Sequence, residues 1–548
     1  MTKLSALIPV AAMLLAGCVN LSPKDSVTMA SAPGNNFKQA YQGIRSAELS
    51  RHTQVLASDD FEGRLPTSAG EQKTLDYLIA QFKANGLEPG NGDSYLQPVE
   101  LVEITADPDM TMQLGKHSFD YKQGMIAGTK RARETVTLKD SELVFVGYGI
   151  NAPEYQWNDY QGLDVKGKTV VMLVNDPGFE NPGSGKFQGK TMTYYGRWTY
   201  KYEEASRQGA EAAIIIHETD PASYDWSVVA NSWSGPLYTL SSKDGNRQRV
   251  AVEGWLSAPA ARQVFDSAGF DFNALKAKAM QGPMSQPLGI KASVTVNSTV
   301  KISTSHNVIA TLPGSTTAGE HIIYTAHWDH LGKDESLAGD QIYNGAQDNA
   351  TGLAAILEIA QAFSGLAQRP GRSLTFLVVT AEEQGLLGSQ HYAEHPVYPL
   401  DKTVANLNMD AMNVLGKSKD IMVVGQGKSE LEQYLAKAAS AQGRLVKPED
   451  VPQAGYYYRS DHFNFAKQGV PALHLEGGSE PWDQAMADYR NQFKDRVYDC
   501  YHQVCDQFDP RWDFSGVQQD ARLLFHIGYD LATSADWPAW YRASEFQR

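Results

Sequence analysis

The chain is poor in cysteine, with three in 548 residues, which excludes a fold stabilised by a network of disulfides. It also has no excess of positive charge. Its 48 Lys and Arg residues stand against 63 Asp and Glu residues, which gives a formal net charge of −15. Because contact with phosphates requires a basic surface, we expect no nucleic-acid partner.

Several sequence patterns are also missing. Beyond the first residues, no stretch reaches the roughly 18 consecutive apolar residues that a transmembrane helix needs. No Gly-x-Ser-x-Gly occurs, which argues against the nucleophile elbow of many serine hydrolases. His391 and His395 have helical i, i+4 spacing, but no Glu follows His391, so the His-Glu-x-x-His zinc motif is absent as well.

What the sequence does have is ordinary globular composition, with 42% hydrophobic and 20% charged residues. This composition is too apolar for a disordered chain. At the usual domain size the length predicts roughly three domain-sized units.

The first residues are typical of a targeting signal. Lys3 supplies positive charge, an apolar stretch from Leu4 to Leu15 follows, and Cys18 comes after small residues. This resembles a bacterial lipoprotein signal, in which the cysteine is acylated, and the alternative is an ordinary secretory signal. We therefore predict a signal peptide over 1–17 and a polar tether over 18–40. The protein is expected to be exported, facing the periplasm or outer membrane if Cys18 is acylated, with this lipid as its membrane contact.

Residues 41–138 are predicted to form the first segment of a main domain. A change of texture indicates an inserted domain over 139–295, with short β-rich runs such as Thr169 to Val174 between long polar loops. The second segment of the main domain is predicted over 296–548. There, apolar strands alternate with helices such as Thr351 to Phe363, which predicts an α/β fold: a mostly parallel mixed sheet covered by helices on both faces.

Ligands of open α/β sheets bind outside the carboxyl ends of the strands. Three predicted strands end in His327, in Glu382-Glu383 and near Asp410, and Asp348 stands ahead of a predicted helix. Histidine and carboxylate side chains on one rim suit a site for two zinc ions, in which one carboxylate is shared between the metals.

These residues lie in segments that resemble the successive motifs of a known family. The segments are Ala326-His327-Trp328-Asp329-His330, Asp348-Asn349-Ala350-Thr351-Gly352, Ala381-Glu382-Glu383-Gln384-Gly385 and Asn408-Met409-Asp410. They are similar to those of the bacterial leucyl aminopeptidase and aminopeptidase Y family, the co-catalytic zinc exopeptidases of metallopeptidase family 28. The family's last ligand is a histidine in a late Tyr-His segment, which Tyr501-His502 matches.

The resemblance implies two Zn²⁺ ions per chain and a role for each residue. One metal would be bound by Asp348, Glu383 and His502, and the other by His327, Asp348 and Asp410, with Asp348 as the bridge. Glu382 would be the general base that moves a proton from water to the leaving amine. Asp329 would hold the second ring nitrogen of His327. Tyr457 matches a family position that faces the substrate, where it would stabilise an oxyanion.

The resemblance extends to two other parts of the chain. Residues 56–64 look like the family's opening segment. The stretch from Leu143 to about Leu240, with Gly147-Tyr148-Gly149-Ile150 and Gly209-Ala210, resembles a protease-associated (PA) domain, so we expect the insert to be a β-rich PA domain.

Cys500 and Cys505 flank His502. Export would permit a disulfide between them, and we expect this bridge to restrict the segment that carries His502, which shows no regular helix or strand pattern. The alternative is two free, buried thiols. Asp506 is a further candidate to hold the second ring nitrogen of His502.

The sequence leaves several functions open. An aminopeptidase that acts on peptides is the leading hypothesis. A carboxypeptidase or dipeptidase would require a cluster of Arg or Lys to bind a carboxylate, and only Arg459 suggests one. Glutaminyl cyclase would use one zinc on the same scaffold, and a non-catalytic binding protein would have lost ligands. Side-chain preference and oligomeric state do not follow from the sequence.

Overall fold

The computed structural model describes residues 36–542 and 544–548. The predicted signal peptide and Cys18 lie outside these residues, as does most of the predicted tether. A helix begins at Phe37, inside the range predicted for the tether. Within the described part of the chain, no helix is long and apolar enough to cross a membrane.

The main unit begins with three helices and two strands that lead up to residue 106. They are α1 (Phe37–Gly43), α2 (Ser46–Leu56), α3 (Ala69–Ala84), β1 (Glu88–Pro89) and β2 (Leu96–Ala106). Helix α3 begins after Ser68, whose side chain accepts a hydrogen bond from the Gly70 amide in the manner of an N-cap. Leu75, Leu78 and Phe82 are buried along one face of this helix, as the 3–4 spacing of its apolar residues predicts.

An inserted unit follows, with its own hydrophobic core that runs from Met110 to Val296. Its strands are β3 (Thr111–Leu114), β4 (His117–Asp120), β5 (Met125–Gly128), β6 (Thr135–Phe145), β7 (Asn151–Ala152), β8 (Trp157–Asn158), β9 (Thr169–Leu173), β10 (Ala212–His217), β11 (Pro236–Leu240) and β12 (Val252–Ser257). Its helices are α4 (Pro177–Glu180), α5 (Trp198–Arg207), α6 (Thr219–Ala222), α7 (Trp226–Ser232), α8 (Ala258–Ser267) and α9 (Phe272–Gln281).

The rest of the chain completes the main unit. Its strands are β13 (Gln286–Leu312), β14 (Thr317–His327), β15 (Gly332–Lys333), β16 (Ile342–Tyr343), β17 (Arg372–Val379), β18 (Thr403–Asn408), β19 (Asp420–Val423), β20 (Leu445–Pro448) and β21 (Ala472–Gly477). Its helices are α10 (Thr351–Ser364), α11 (Leu387–Glu394), α12 (Leu431–Ala441), α13 (His462–Lys467), α14 (Gln484–Asp499) and α15 (Ser515–Thr533).

The sheet of the main unit is mixed, in agreement with the predicted fold class. Its four central strands, in the order β17-β14-β18-β21, are parallel. The flanks are antiparallel: β13 and β2 continue the sheet beyond β17, and β19 pairs with β21. The prediction of a mostly parallel mixed sheet is therefore confirmed for the centre, where the candidate ligands lie. At the edges, β13, β2 and β19 pair antiparallel and β20 pairs parallel to β19.

Both faces of this sheet are covered. Ile322 and Tyr324 of β14 pack into a large core with α10 and α15, whereas Ile323 packs into a separate core with Tyr392 and Phe465 on the other face. All eight residues of β17 are buried. A strand without a polar face is the expected result of helices on both sides.

The boundary predicted at 139 is wrong. Strands β3, β4 and β5 and the whole of β6 belong to the sheet of the inserted unit, so this unit begins directly after β2. No change of composition marks that point, because β3 to β5 are short strands between turns. The insert also contains more helices than the predicted β-rich domain. Its strands β6, β9, β10 and β12 form parallel pairs. Its assignment as a PA domain stays a prediction.

The two units share one strand. The first part of β13 pairs with β3 and β6 in the inserted unit, and its second part pairs with β2 and β17 in the main unit. The edge of the main sheet also takes in β11 of the inserted unit, which pairs with β2. These shared strands hold the inserted unit beside the carboxyl ends of the central strands.

Candidate metal centre

The predicted ligands lie together at one rim of the main sheet. His327 is the last residue of β14, Glu382 and Glu383 follow β17, and Asp410 follows β18. Asp348 stands in a distorted turn directly ahead of α10. The parallel order of these strands brings their carboxyl ends to the same edge, as the sequence predicted.

A first group of donors consists of His327, Asp348 and Asp410. The Nε2 atom of His327 is 3.2 Å from Asp348 Oδ1 and 3.1 Å from Asp410 Oδ1. The Nδ1 atom of His327 faces the main-chain carbonyl of Asp329 at 3.1 Å. A hydrogen bond from Nδ1 to this carbonyl leaves the Nε2 lone pair free for a metal.

A second group consists of His502, Asp348 and Glu383. The Nε2 atom of His502 is 3.2 Å from Asp348 Oδ2 and 3.0 Å from Glu383 Oε2. The two carboxylate oxygens of Asp348 thus face different groups, Oδ1 the first and Oδ2 the second. This is the arrangement that a bridging carboxylate requires.

His330, Asp348 and Glu383 also offer ligand atoms that lie close enough together to hold one metal ion. The Nδ1 atom of His330 is 2.6 Å from Glu383 Oε1. That separation suits a hydrogen bond, and it is shorter than the spacing of two donors on one zinc ion. We therefore assign His330 to positioning Glu383, and His502 to the metal.

The geometry fits zinc. Two ligand atoms that bind one tetrahedral zinc at about 2.0–2.2 Å lie about 3.3 Å apart. The four separations in the two groups are 3.0 to 3.2 Å. The ligand types, histidine nitrogen and carboxylate oxygen, are those that zinc binds.

The charges of the site also fit divalent cations. Burial raises the pKa of Glu382 well above its usual range, and the carboxylates of Asp410 and Glu383 raise it further. Burial likewise raises the pKa of Asp461 to about 7. Arg64 is a buried cation beside the site, and its described hydrogen bonds all go to carbonyl oxygens. Bound cations would supply the positive charge that these carboxylates lack.

Asp329 acts differently from the prediction. Its carboxylate accepts hydrogen bonds from the backbone amides of Glu382, at 3.0 Å, and Glu383, at 3.3 Å. Its nearest oxygen is 3.9 Å from His327 Nδ1. The sequence predicted the right pair of residues but the wrong atoms, because it does not tell a main-chain oxygen from a side-chain oxygen. Asp329 thus fixes the turn that carries Glu382 and Glu383.

Asp506 does not hold His502 as proposed. Its carboxylate accepts hydrogen bonds from the amides of Gln347, at 2.9 Å, and Asp348, at 3.1 Å. These bonds tie the segment after His502 to the turn that carries the bridging carboxylate. Asp506 therefore positions Asp348.

Arg64 is a positioning residue that sequence reasoning missed. Its buried guanidinium donates to the carbonyls of Trp328, at 2.8 Å, and Gly345, at 2.8 Å. It thereby joins the turn after β14 to the turn before α10. Gly345 allows this approach, because it has φ +57° and a Cβ there would lie 2.6 Å from Arg64 Nη2. The signal available in the sequence was the position of Arg64 in the opening segment of the family.

Tyr457 does not line the cleft that reaches Glu382. Its side chain is 3% exposed, its ring packs on His462 at 4.6 Å, and it borders a separate cavity of about 150 Å³. The proposed role in oxyanion stabilisation is therefore not supported. Tyr501 lies in the cleft instead, with its ring stacked on that of His502 at 3.9 Å.

The segment of His502 has more support than the sequence indicated. Helix α14 ends at Asp499, directly before it, and Cys500 and Cys505 are joined in a disulfide. His502 has φ +57°, and its side chain is 33% exposed, so the turn between the cysteines holds it at the border of the site. The sequence of α14 is mostly polar, so apolar periodicity did not predict this helix.

A cleft between the two units reaches Glu383 of the second group and the neighbouring Glu382. This cleft has a volume of about 430 Å³, and Glu382, Glu383, Arg459 and Tyr501 of the main unit line it opposite residues of the inserted unit. A larger cavity of about 810 Å³ lies elsewhere, on the inserted unit, and contains none of the candidate ligands. The 430 Å³ cleft lies within the size range of pockets for small molecules.

Comparisons with known proteins relate this chain to peptidases. Residues 307–525 match the model of the family described as Peptidase family M28. Aminopeptidase NAALADL1 of Mus musculus is 32% identical over 243 residues, which are 41% of this chain and 30% of that protein. Leupeptin-inactivating enzyme 1 of Streptomyces exfoliatus is 30% identical over 206 residues, 37% of this chain and 43% of that protein. The chain thus aligns with less than half the length of these curated relatives.

Among solved structures, an aminopeptidase from Aneurinibacillus sp. strain AM-1 aligns with 93% of this chain and 100% of its own, at 23% identity and a TM-score of 0.52. This likeness shows a shared fold. The assignment to a family rests on the family match alone. Residues 307–525 of this chain form a domain of peptidase family M28.

Proposed function

We propose that the protein is a two-zinc exopeptidase that removes the N-terminal residue of peptides. The observation that carries the proposal is the position of Asp348. Its two oxygens face two separate groups of donors, one with His327 and one with His502. A site for one metal does not require a carboxylate that is shared between two groups of donors. The position of Asp348 therefore argues against a glutaminyl cyclase, which would use one zinc.

When bound, the two zinc ions would polarise the scissile carbonyl and lower the pKa of the attacking water. The chain's own residues then divide the remaining work. Glu382 takes a proton from the water at its carboxylate and returns it to the amine that leaves, a contribution of about 10²- to 10⁴-fold in rate. Its backbone amide is fixed by Asp329, so the carboxylate starts from a defined position.

Ser460 and Asn408 keep the ligand Asp410 in place. Ser460 donates to Asp410 Oδ2 at 2.7 Å, which leaves Oδ1 facing His327. Asn408 in turn donates to Ser460 Oγ at 2.7 Å. Oriented carboxylates of this kind bind a metal without first reorganising, which supports a preformed site.

We also propose that the protein is exported and that Cys18 carries a lipid anchor. The signal-like residues 1–17 and the disulfide between Cys500 and Cys505 support export, because disulfides persist in oxidising compartments. Expression with a radiolabelled fatty acid should label the wild type and not Cys18→Ala. An unlabelled wild type found in the soluble periplasmic fraction would contradict the anchor.

The peptidase proposal is tested with the purified protein, two anilide substrates and a blocked peptide. We expect hydrolysis of leucine p-nitroanilide, no hydrolysis of N-acetyl-leucine p-nitroanilide, and two zinc ions per active chain. Release of the C-terminal residue from an N-acetylated peptide would instead indicate a carboxypeptidase. Full activity with one bound metal would contradict the two-zinc site.

A further inference from the structure

The cleft beside the metal groups carries charged side chains from both units. Two of its basic groups have carboxylate partners: Arg249 contacts Glu253 at 2.7 Å, and Lys467 contacts Glu203 at 2.9 Å. Each pair has no net charge, so these two basic groups already have the anion that they require.

Arg197 and Arg459 are different. Both line the same cleft, Arg197 from the inserted unit and Arg459 from the main unit. Neither is within 4.0 Å of a carboxylate oxygen among the ion pairs of the described residues, and the buried Nε atom of each has no hydrogen-bond partner there. Arg459 is held by a hydrogen bond of 2.7 Å from Nη2 to the carbonyl of Ala454, so its guanidinium is kept in position without being neutralised.

The two guanidinium groups are also neighbours. Burial and, to a smaller extent, the positive charge of Arg459 lower the pKa of Arg197 to about 9. Both charges act on the same tyrosine, Tyr224. Two like charges close together repel each other unless an anion binds between them. Carboxylates such as Glu382 line the same cleft, but no ion pair of the described residues joins one to Arg197 or Arg459.

We propose that Arg197 and Arg459 bind a carboxylate of the peptide substrate. The planar guanidinium fork matches a carboxylate in a bidentate manner, and partly buried pairs of this kind are strong. The site shares its cleft with Glu382 and Glu383, so an anion bound here belongs to the molecule whose peptide bond is cleaved. The inference rests on the peptidase proposal and adds the substrate class: peptides that present a carboxylate beyond the scissile bond.

This carboxylate has two possible sources, the C-terminus of a short peptide and the side chain of an acidic residue. Both follow from the same chemistry, and matched substrates separate them. Leu-Gly-Gly is compared with Leu-Gly-Gly-amide for the C-terminus, and Leu-Gly-Glu-amide with Leu-Gly-Gln-amide for the side chain. We expect kcat/KM to be about 10- to 100-fold higher for the acid in at least one pair, the range of a charge-assisted contact.

The variants Arg197→Gln and Arg459→Gln should each reduce this acid-to-neutral ratio by about 10-fold or more, mainly through KM. Arg197→Lys keeps the charge without the bidentate fork and should give an intermediate ratio. Arg207→Gln is the matched control. It removes the same charge from the other end of α5, where the guanidinium already contacts Glu204 at 2.7 Å, and the ratio should stay at the wild-type value.

The outcomes separate this inference from the peptidase proposal. Absence of hydrolysis of every substrate, leucine p-nitroanilide included, would overturn the peptidase proposal. Hydrolysis of the anilide with equal rates for acid and neutral peptides would overturn the carboxylate site alone. A preference for acids that persists in both Arg→Gln variants, with the proteins folded by circular dichroism, would do the same.

Discussion

Glu382 and Glu383 are adjacent in sequence, yet the structure gives them different surroundings. Glu383 lies against His502, at 3.0 Å, and His330, at 2.6 Å, whereas no described hydrogen bond or ion pair involves the carboxylate of Glu382. A group that contacts no partner is free to exchange protons with a substrate. A group held by two histidines is suited to a ligand.

We therefore expect Glu382→Gln to keep both zinc ions and to lose activity by about 10²- to 10⁴-fold in kcat. Glu383→Gln should lose zinc from the site of His502 as well as activity. Zinc content after dialysis and kcat on leucine p-nitroanilide measure the two effects. The exposed Glu335→Gln is the control and should behave as wild type. Equal loss of zinc in both site variants would refute this division of roles.

His321 gives a second prediction at this scale, on stability. It is 5% exposed, its ring stacks on Tyr398 at 4.0 Å, and burial lowers its pKa to about 4. The unfolded chain, with a pKa near 6.5, binds the proton more readily than the folded chain. The contribution of neutral His321 is therefore complete above pH 6.5 and is lost as the pH falls towards 4.

The expected measurement is a comparison of His321→Asn with the wild type, both without metal, by urea unfolding at pH 7.5 and pH 4.5. The variant is less stable at pH 7.5, and this difference should shrink by about 2 kcal/mol at pH 4.5. The partly exposed His117→Asn should show no such change. A difference that is constant with pH would mean that His321 is not kept neutral by burial.

The candidate ligands were predictable because their positions follow from strand ends and from motif order. His327, Asp348, Glu383, Asp410 and His502 all lie where this reasoning put them. Roles that depend on the direction of a side chain were not predictable. The carboxylate of Asp329 accepts hydrogen bonds from two backbone amides, and the side chain of Tyr457 packs in a hydrophobic core. Packing against distant residues decides these directions.

Among the helices and strands, those that are buried were predicted best. Helix α10 was expected over Thr351 to Phe363 and runs to Ser364, since a continuous apolar run leaves few alternatives. Helix α14 was missed, because only Arg490, Phe493 and Val497 among its residues are buried. A mostly exposed helix has little apolar periodicity to reveal it. The support of His502 could not be seen without this helix.

The disulfide after α14 leads to a prediction about His502. It closes a short turn around this residue, and the restriction should lower the cost of ordering His502 on metal binding. Replacement of Cys500 and Cys505 by Ser should weaken binding of one zinc by about 10-fold and leave substrate preference unchanged. Competition with a chelator of known affinity measures this loss.

Reduction of the wild type should have the same effect, and the double Ser variant should not respond to the reductant. Titration of thiols in the unfolded, unreduced protein should find none from this pair. Two reactive thiols would contradict the bridge.

At the scale of the whole molecule, the metals should contribute to the stability of the main unit. The ligands come from segments that are far apart in sequence, and each bound ion stabilises the folded state by about 2.7 kcal/mol when free zinc is 100-fold above its Kd. A chelator should lower the midpoint of thermal unfolding in calorimetry. Asp410→Asn should reduce this shift, and the exposed Asp401→Asn should not. An unchanged midpoint on removal of zinc would contradict a structural contribution of the metals.

The fold class and the match of residues 307–525 to peptidase family 28 were predicted correctly from the sequence and are confirmed by the comparisons. The start of the inserted unit was not, because β2 and β3 follow each other without any break that composition records. Such boundaries depend on which strands pair with each other. The local sequence does not show pairing between residues as distant as Ala292 and Leu114.

The chain leaves the main unit at the end of β2 and returns along β13, and Ala106 and Ser298 are partners in register. In topological terms, the inserted unit is thus the loop of a long β-hairpin. The entropy of closing such a loop grows only slowly with its length, so the hairpin tolerates a loop of almost any size. The wall of the cleft that carries Arg197 is for this reason an exchangeable module: evolution can lengthen, replace or remove it while every metal ligand keeps its place.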